Sequence, residues 1–196
     1  MIVIMGLLDS LITLPDVRLR KPSKDVAFDD AHVKLLADKM KNVVLEWEKT
    51  RQYEIGAALS AIQIAEPYRV VVVREDFSDK DNQSFVTLLN PRVVASGGGV
   101  ESDYEGCLSI VDVYGIVPRN YRVTVAATNL EGKEITIQAE GFLARVLQHE
   151  IDHTNGVMFI DHIKDHDAFY ALEPNGDFKK IPHKDVLESS ALWATQ

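Results

Sequence analysis

The stretch "YRVTVAATNLEGKEITIQAEGFLARVLQHEIDH" at residues 121–153 decides the predicted fold. Its first part alternates apolar and polar residues, with Val123 and Val125 before the turn "NLEGK" and Ile135 and Ile137 after it, which is typical of a β-hairpin. The second part changes to helical spacing of its apolar residues. A hairpin that runs into a helix predicts the α+β class, with antiparallel or mixed sheets packed around a central helix that carries "HEIDH".

Three further segments indicate strands of the predicted sheet and a turn. The β-branched run "YRVVVVRED" at 68–76 indicates a buried strand. The segment "SFVTLLNPRVV" at 84–94 indicates one or two strands with a break near Pro91, because proline cannot donate to a strand ladder. The glycines at 97–99 predict a flexible turn.

A helix and a change of pattern define the ends of the predicted domain. Asp29 or Asp30 can cap a helix that runs to about Thr50, with apolar residues at helical spacing. Beyond Ile163 the pattern weakens, although the last residues can form a short helix. We therefore predict a catalytic domain at 1–165 and a C-terminal extension at 166–196.

Composition excludes several classes of partner. The 196 residues carry a formal net charge of -9, which argues against DNA binding and against docking on an anionic membrane. The apolar amino terminus is interrupted by Gly6, Asp9 and Ser10, too early for a membrane span. The lone Cys107 cannot form an intrachain disulfide, and a free thiol fits the cytoplasm.

The segment "HEIDH" offers two interpretations. His149 and His153 share one helix face, so their imidazoles can meet at one metal ion, with Glu150 beside it as a proton acceptor. The same residues could instead form a solvated polar face. In the first interpretation Cys107 is the natural third ligand, since thiolates bind zinc or iron(II) strongly. The second histidine pair, His162 and His166, is interpreted as exposed and solvated.

Two motifs together carry a family resemblance. "EGCLS" at 105–109 and "QHEIDH" at 148–153 resemble the peptide deformylases, enzymes that remove the N-formyl group from nascent proteins. A third family motif, G-x-G-L-A-A-x-Q, is similar to "GAALSAIQ" at 56–63. The resemblance covers about residues 12–165.

The resemblance implies a metal-dependent hydrolase that releases formate from formylmethionyl polypeptides. Cys107, His149 and His153 would hold one divalent ion, Fe²⁺ natively, with Zn²⁺, Ni²⁺ or Co²⁺ able to replace it. Glu150 would act as general base and then acid. The Gln63 amide and the Leu108 backbone N–H would stabilise the oxyanion, and Glu105 would pair with Arg119 around the ligand loop.

The third motif departs from the family at two positions. Gly56 and Ala58 would bind the substrate backbone, with Leu143 and Val146 as candidate walls of the methionine pocket. Ala58 replaces a glycine, and a methyl group there disfavours positive φ, so the cleft is expected to be shifted or narrowed. A deformylase-like metalloprotein with altered or lost substrate use is therefore one alternative, and an unrelated metallopeptidase is the other. Ser60 replaces an alanine and could bond locally at a helix start.

The expected partners follow from the same resemblance. The nascent formylmethionyl polypeptide is the substrate, and a transient contact with the ribosome is compatible with the activity. Residues 161–196 contain four Lys against seven Asp or Glu, so no basic helix for ribosomal RNA is evident. The sequence leaves open the native metal, the oligomeric state and the role of the extension.

Overall fold

A computed structural model describes residues 6–29, 31–51 and 53–189. Within these ranges the α-helices are α1 (Ala31–Glu48), α2 (Gly141–Thr154) and α3 (His183–Glu188), besides four short 3-10 helices. The strands are β1 (Ala58–Ser60), β2 (Val70–Arg74), β3 (Phe85–Cys107), β4 (Ile110–Thr128), β5 (Glu134–Glu140), β6 (Phe169–Leu172) and β7 (Phe178–Lys180). Among the helices in these ranges, none combines the length and the apolar content that a membrane crossing requires. The α+β class is confirmed.

All strands join one antiparallel sheet. Its order is β1-β2-β3-β4-β6-β7, and β5 pairs with the second half of β4. The predicted hairpin is confirmed, because Val125 of β4 faces Ile137 of β5. The predicted strand at 68–76 is also confirmed, and all five residues of β2 are buried.

Strand β3 runs through two positions where the sequence predicted interruptions. Near Pro91 the register with β4 shifts between Leu89 and Arg92, and Asn90 takes a positive φ of 52°. The predicted flexible turn at 97–99 is wrong, because these glycines lie within β3, where the register shifts again between Gly97 and Val100. Bulges of this kind leave one residue unpaired, so a strand can contain a proline without an N–H donor or a glycine with positive φ and still continue.

Helix α1 covers one side of the sheet. Its buried residues pack against Leu59, Val70 and Leu89 of the first three strands. The helix ends at Glu48, two residues before the predicted end, and Asp30 lies outside the described residues. Each fully buried aliphatic side chain contributes about 1.5–3 kcal/mol, so this helical face fixes α1 on the sheet.

Helix α2 is enclosed by protein. Its apolar residues Val146 and Leu147 pack with Val71 and Val123 of the sheet. Every residue from 144 to 151 is buried, including Arg145, Gln148, His149 and Glu150. The interpretation of "HEIDH" as a solvated face is therefore wrong. Buried polar groups need partners, and on α2 those partners build the site.

The C-terminal residues extend the same sheet. Strand β6 pairs with β4 through Ala171–Val113 and Phe169–Gly115, and β7 pairs with β6. Phe169 of β6 and Val186 of α3 are buried in a third apolar cluster, together with Leu19 and Phe159. The predicted short terminal helix corresponds to α3, and residues 190–196 lie outside the described ranges. The predicted division at residue 165 stays a prediction.

Candidate active site

Three potential metal ligands meet between the end of β3 and helix α2. The ligand atoms of Cys107, His149 and His153 all lie within 4.8 Å of one another. The Nε2 atoms of the two histidines are 3.2 Å apart, and the Cys107 Sγ is 3.3 Å from His153 Nε2. The i, i+4 spacing of α2 supplies the two imidazoles. The two-residue turn between β3 and β4 presents the sulfur to them.

The electrostatics of the cluster suit a cation. Burial lowers the pKa of each imidazole, and for His149 the hydrogen bonds with Cys107 and Glu105 outweigh that effect and raise the pKa. Burial and the neighbouring His149 together lower the pKa of His153. Three donors thus converge in a buried space where two imidazolium ions cannot coexist. A divalent ion fits this donor set, and neutral imidazoles with a thiolate are the ligands it needs.

Glu105 contacts one of the candidate ligands and two arginines. Its Oε2 lies 2.9 Å from His149 Nδ1, so a neutral His149 that donates there turns its Nε2 lone pair toward the cluster. The predicted pair with Arg119 is confirmed at 2.9 Å, and Arg145 adds a bond of 2.8 Å that the sequence analysis missed. Burial would raise the pKa of Glu105, but His149 and Arg119 hold it well below its ordinary value.

The second histidine pair stays away from the ligand cluster. His162 Nε2 lies 2.7 Å from Asp152 Oδ2, which also accepts a 2.5 Å bond from Arg119. Neither histidine is in the ligand cluster, as predicted, but His162 is only partly exposed, because it contacts Asp152 in the network around Glu105. His166 stacks on His183 with ring centroids 5.4 Å apart.

Glu150 is buried beside the cluster and contacts Ser60. The Ser60 hydroxyl lies 2.9 Å from Glu150 Oε2 and 2.8 Å from the Glu150 backbone oxygen. Burial raises the pKa of Glu150, although the neighbouring His149 lowers it in part. Ser60 does stand at the start of a short helix, Ala61–Ile64, as predicted, but its hydroxyl also makes a distant contact. It reaches a residue 90 positions away, which no sequence pattern indicates.

Gln63 lies beside Cys107 and lines the same cavity. Its Oε1 accepts from the Ser60 backbone N–H at 2.9 Å, which orients the amide. Its Nε2 then points to Ser109 Oγ at 3.2 Å and lies 3.5 Å from Cys107 Sγ. Leu108 is adjacent to Cys107 and lines the same cavity.

A cavity of about 260 Å³ opens from the cluster toward solvent. Its inner part is lined by Cys107, His149 and Glu150, and its walls include Val146, as predicted. Leu143 packs with the core cluster around α2 and is not among the lining residues. Most of the cavity wall therefore comes from outside α2, from residues 47–63 and 104–114.

The segment 55–58 forms one wall of this cavity. Ile55, Ala57 and Ala58 line it, whereas Gly56 does not. The Gly56 N–H donates to Glu48 Oε1 at 2.7 Å, and its carbonyl accepts from Arg74 at 3.2 Å. A side chain at Gly56 would collide with Val44 of α1. Packing against α1 thus explains this glycine, and its contact with substrate stays a prediction.

Ala58 occupies the position where the family motif has glycine. It lies in β1 opposite Val73, and its φ is not among the positive values found in the chain. Its methyl group is buried in the core cluster that also contains Val71 and Leu147. The backbone strain expected from this replacement is absent, so the chain accommodates the methyl group in an ordinary strand.

A Cys-His-His donor set beside a buried carboxylate, at the inner end of an apolar cleft, defines a metal-dependent hydrolase of peptide-like substrates. The family model for polypeptide deformylase matches residues 8–169. The chain therefore belongs to the polypeptide deformylase family. Members of this family remove the N-formyl group from nascent polypeptides, and this is the activity of the chain.

Individual relatives agree with the family assignment. The peptide deformylase of Rhizobium meliloti is 43% identical over 153 residues, which span 78% of this chain and 83% of that protein. The crystal structure of a peptide deformylase from Legionella pneumophila aligns with a TM-score of 0.69 at 37% identity, covering 79% of this chain and 85% of that one. A Synechococcus elongatus peptide deformylase in complex with actinonin gives the same TM-score at 32% identity, over 79% of this chain and 80% of that one.

Proposed function

We propose that Cys107, His149 and His153 hold one divalent ion, natively iron(II), and that Glu150 moves the proton in the deformylation reaction. The observation that carries this proposal is the convergence of the three ligand atoms within 4.8 Å, next to a buried carboxylate that lines the same cavity. Zinc, nickel and cobalt satisfy the same donor set.

When bound, the ion activates a water molecule and polarises a carbonyl oxygen. Glu150 accepts a proton from the attacking water and returns it to the departing amine as the formyl C–N bond breaks. Ser60 positions Glu150 for both steps, because its hydroxyl is 2.9 Å from Oε2 and leaves Oε1 for the reactants. A carboxylate whose pKa is raised by burial is suited to hold that proton briefly.

The negative charge that develops on the formyl oxygen needs donors. We assign this role to the Gln63 Nε2 and the Leu108 backbone N–H, which both lie next to Cys107. The support for Gln63 is its fixed amide, whose Oε1 is held by the Ser60 backbone while Nε2 lies near Cys107. Donors that are already oriented stabilise the oxyanion without further reorganisation.

The wider setting follows from the substrate. The formylmethionyl end would lie along the wall formed by residues 55–58, with the methionine side chain near Val146. Action in the cytoplasm is part of the proposal, because a reducing compartment preserves the free thiol of Cys107. A transient contact with the ribosome also remains a prediction.

Glu150→Gln tests the proposed proton transfer. The variant should keep its metal, since Glu150 is not a ligand, but lose about a hundredfold or more in kcat for formate release. Metal analysis and formate release are measured on the same anaerobically prepared sample. Full activity in a variant with full metal content would remove Glu150 from the mechanism.

A further inference from the structure

The open end of the cleft is formed by aromatic side chains from two parts of the chain. Phe178 of β7 stacks on Tyr104 of β3, with ring centroids 4.2 Å apart and planes at 10°. Tyr114 of β4 meets the edge of Phe178 at 4.9 Å. All three residues line the cavity that contains His149 and Glu150. We call Tyr104, Tyr114 and Phe178 the aromatic rim.

The aromatic rim keeps surface available to a ligand. Phe178 is 40% exposed and Tyr104 is 37% exposed, although both take part in the stacking. Exposed aromatic faces that continue into a catalytic cavity are typical of binding surfaces, because an apolar group that covers them removes their area from water. The rim therefore offers apolar contact area beyond the reacting centre.

Charged groups near the rim are already paired. Arg51 forms an ion pair with Asp112 and lies 3.7 Å from Glu54, which in turn accepts a hydrogen bond from the Tyr114 hydroxyl. One guanidinium thus serves two carboxylates, which leaves a net charge of −1 on these three groups and no unpaired cation among them for selecting an acidic side chain. An apolar or aromatic group is the ligand that matches it.

The rim depends on residues beyond the family match. The family model ends at residue 169, whereas Phe178 lies on the β6–β7 hairpin, which is held by pairing of β6 with residues 113–115 of β4. The shared family pattern supplies the reacting centre, and this chain adds a wall to the same cavity. Selectivity contributed by Phe178 would therefore come from outside the segment that the family model matches.

We propose that the aromatic rim is a subsite for an apolar, preferably aromatic, side chain on one of the residues that follow formylmethionine in the substrate. A bound peptide that starts at the metal cluster extends outward along residues 55–58 and brings a downstream side chain to Phe178 and Tyr104. The inference rests on the proposed placement of the formyl group at the cluster. An aromatic contact of this kind should raise kcat/KM about two- to tenfold.

The test is a positional scan with formate release as the readout. Formyl-Met-Ala-Ala-Ala is compared with three peptides that carry one Phe in place of each Ala in turn. The wild-type enzyme should prefer Phe to Ala at one position by about two- to tenfold in kcat/KM. Phe178→Ala should reduce that ratio to near one, and Phe178→Leu should give an intermediate ratio.

Two controls separate the subsite from general effects. Phe28→Ala removes an aromatic residue that is 47% exposed and outside the cavity lining, so it should keep the wild-type ratio. Thermal unfolding of each variant shows whether the hairpin remains folded, and Phe178→Leu serves as the test if Phe178→Ala unfolds. No preference in the wild type, or an unchanged preference in the folded variants, would overturn the subsite.

A binding measurement distinguishes this inference from the proposed chemistry. Calorimetry with the unformylated peptides Met-Ala-Ala-Ala and the Phe-containing counterpart needs no turnover. The wild-type enzyme should bind the Phe peptide about two- to tenfold more tightly than the Ala peptide. The Phe178→Ala variant should bind the two peptides with equal affinity. Equal Kd values of the two peptides for the wild-type enzyme would contradict the proposed subsite. Failure of Glu150→Gln to lose activity would contradict the mechanism alone.

Discussion

The two ends of the cleft are built on different physical principles. At the inner end, buried charged groups have several partners each, as Glu105 does with Arg119, Arg145 and His149. At the open end, the aromatic rim is partly exposed and makes dispersion contacts that tolerate small shifts. From this difference we expect catalysis to depend on the orientation of the buried polar groups. We expect selectivity among substrates to depend on the apolar area that the aromatic rim offers. Substitutions should therefore have much larger effects at the inner end.

Loss of a ligand should give the largest effect. Cys107→Ala or His153→Ala leaves two protein ligands, so metal content should fall from about one ion per chain to a small fraction after dialysis, and formate release should fall with it. His162→Ala is the matched control, because that histidine contacts Asp152 and not the cluster. Full metal occupancy in both ligand variants would refute the three-ligand centre.

Glu105→Gln tests whether the contact of Glu105 with His149 matters to metal binding. The variant keeps the shape of the side chain but removes the charge that orients His149, so metal affinity should fall about 10–100-fold. Competition with a chelator measures the change. Glu101→Gln, on the exposed part of the same strand, should leave the affinity unaltered. Equal affinities for both variants would mean that His149 needs no orienting partner.

Ser60→Ala addresses the second contact of the proposed base. Loss of the hydroxyl near Glu150 Oε2 should lower kcat about three- to thirtyfold, since hydrogen bonds to charged groups are among the stronger ones. KM and metal content should stay at wild-type values, because Ser60 is neither a ligand nor a residue of the cavity lining. Ser102→Ala on exposed β3 is the control. A change in KM alone would indicate a distorted wall rather than a misplaced base.

Ala58→Gly should have the smallest effect, and it tests the wall between the two ends. Ala58 has no positive φ and its methyl group is packed, so kcat/KM should change by less than about twofold. The glycine should cost about 0.5–1 kcal/mol in the free energy of unfolding, measured with denaturant. A large gain in kcat/KM would mean that the methyl group narrows the cleft after all.

The sequence predicted the elements that depend on local pattern. Alternation at 121–137 predicted the hairpin, and the i, i+4 histidines indicated the helix that carries two of the candidate metal ligands. Local patterns predicted the wrong structure where contacts with distant residues determine the conformation. The glycines at 97–99 look like a turn by themselves, yet pairing with β4 continues on either side of them and retains them as a bulge.

What the sequence by itself determined is the donor chemistry, because Cys107 and the two histidines of "HEIDH" are recognisable from residue type and spacing alone. Only the tertiary structure decided which polar groups surround that centre and what borders the cleft. Arg145, Ser60 and Phe178 come from a helix, a short strand and the C-terminal hairpin, and contacts across such separations leave no local pattern. Burial of α2 from residue 144 to residue 151 then requires partners for its polar residues, and the fold supplies them from those distant segments.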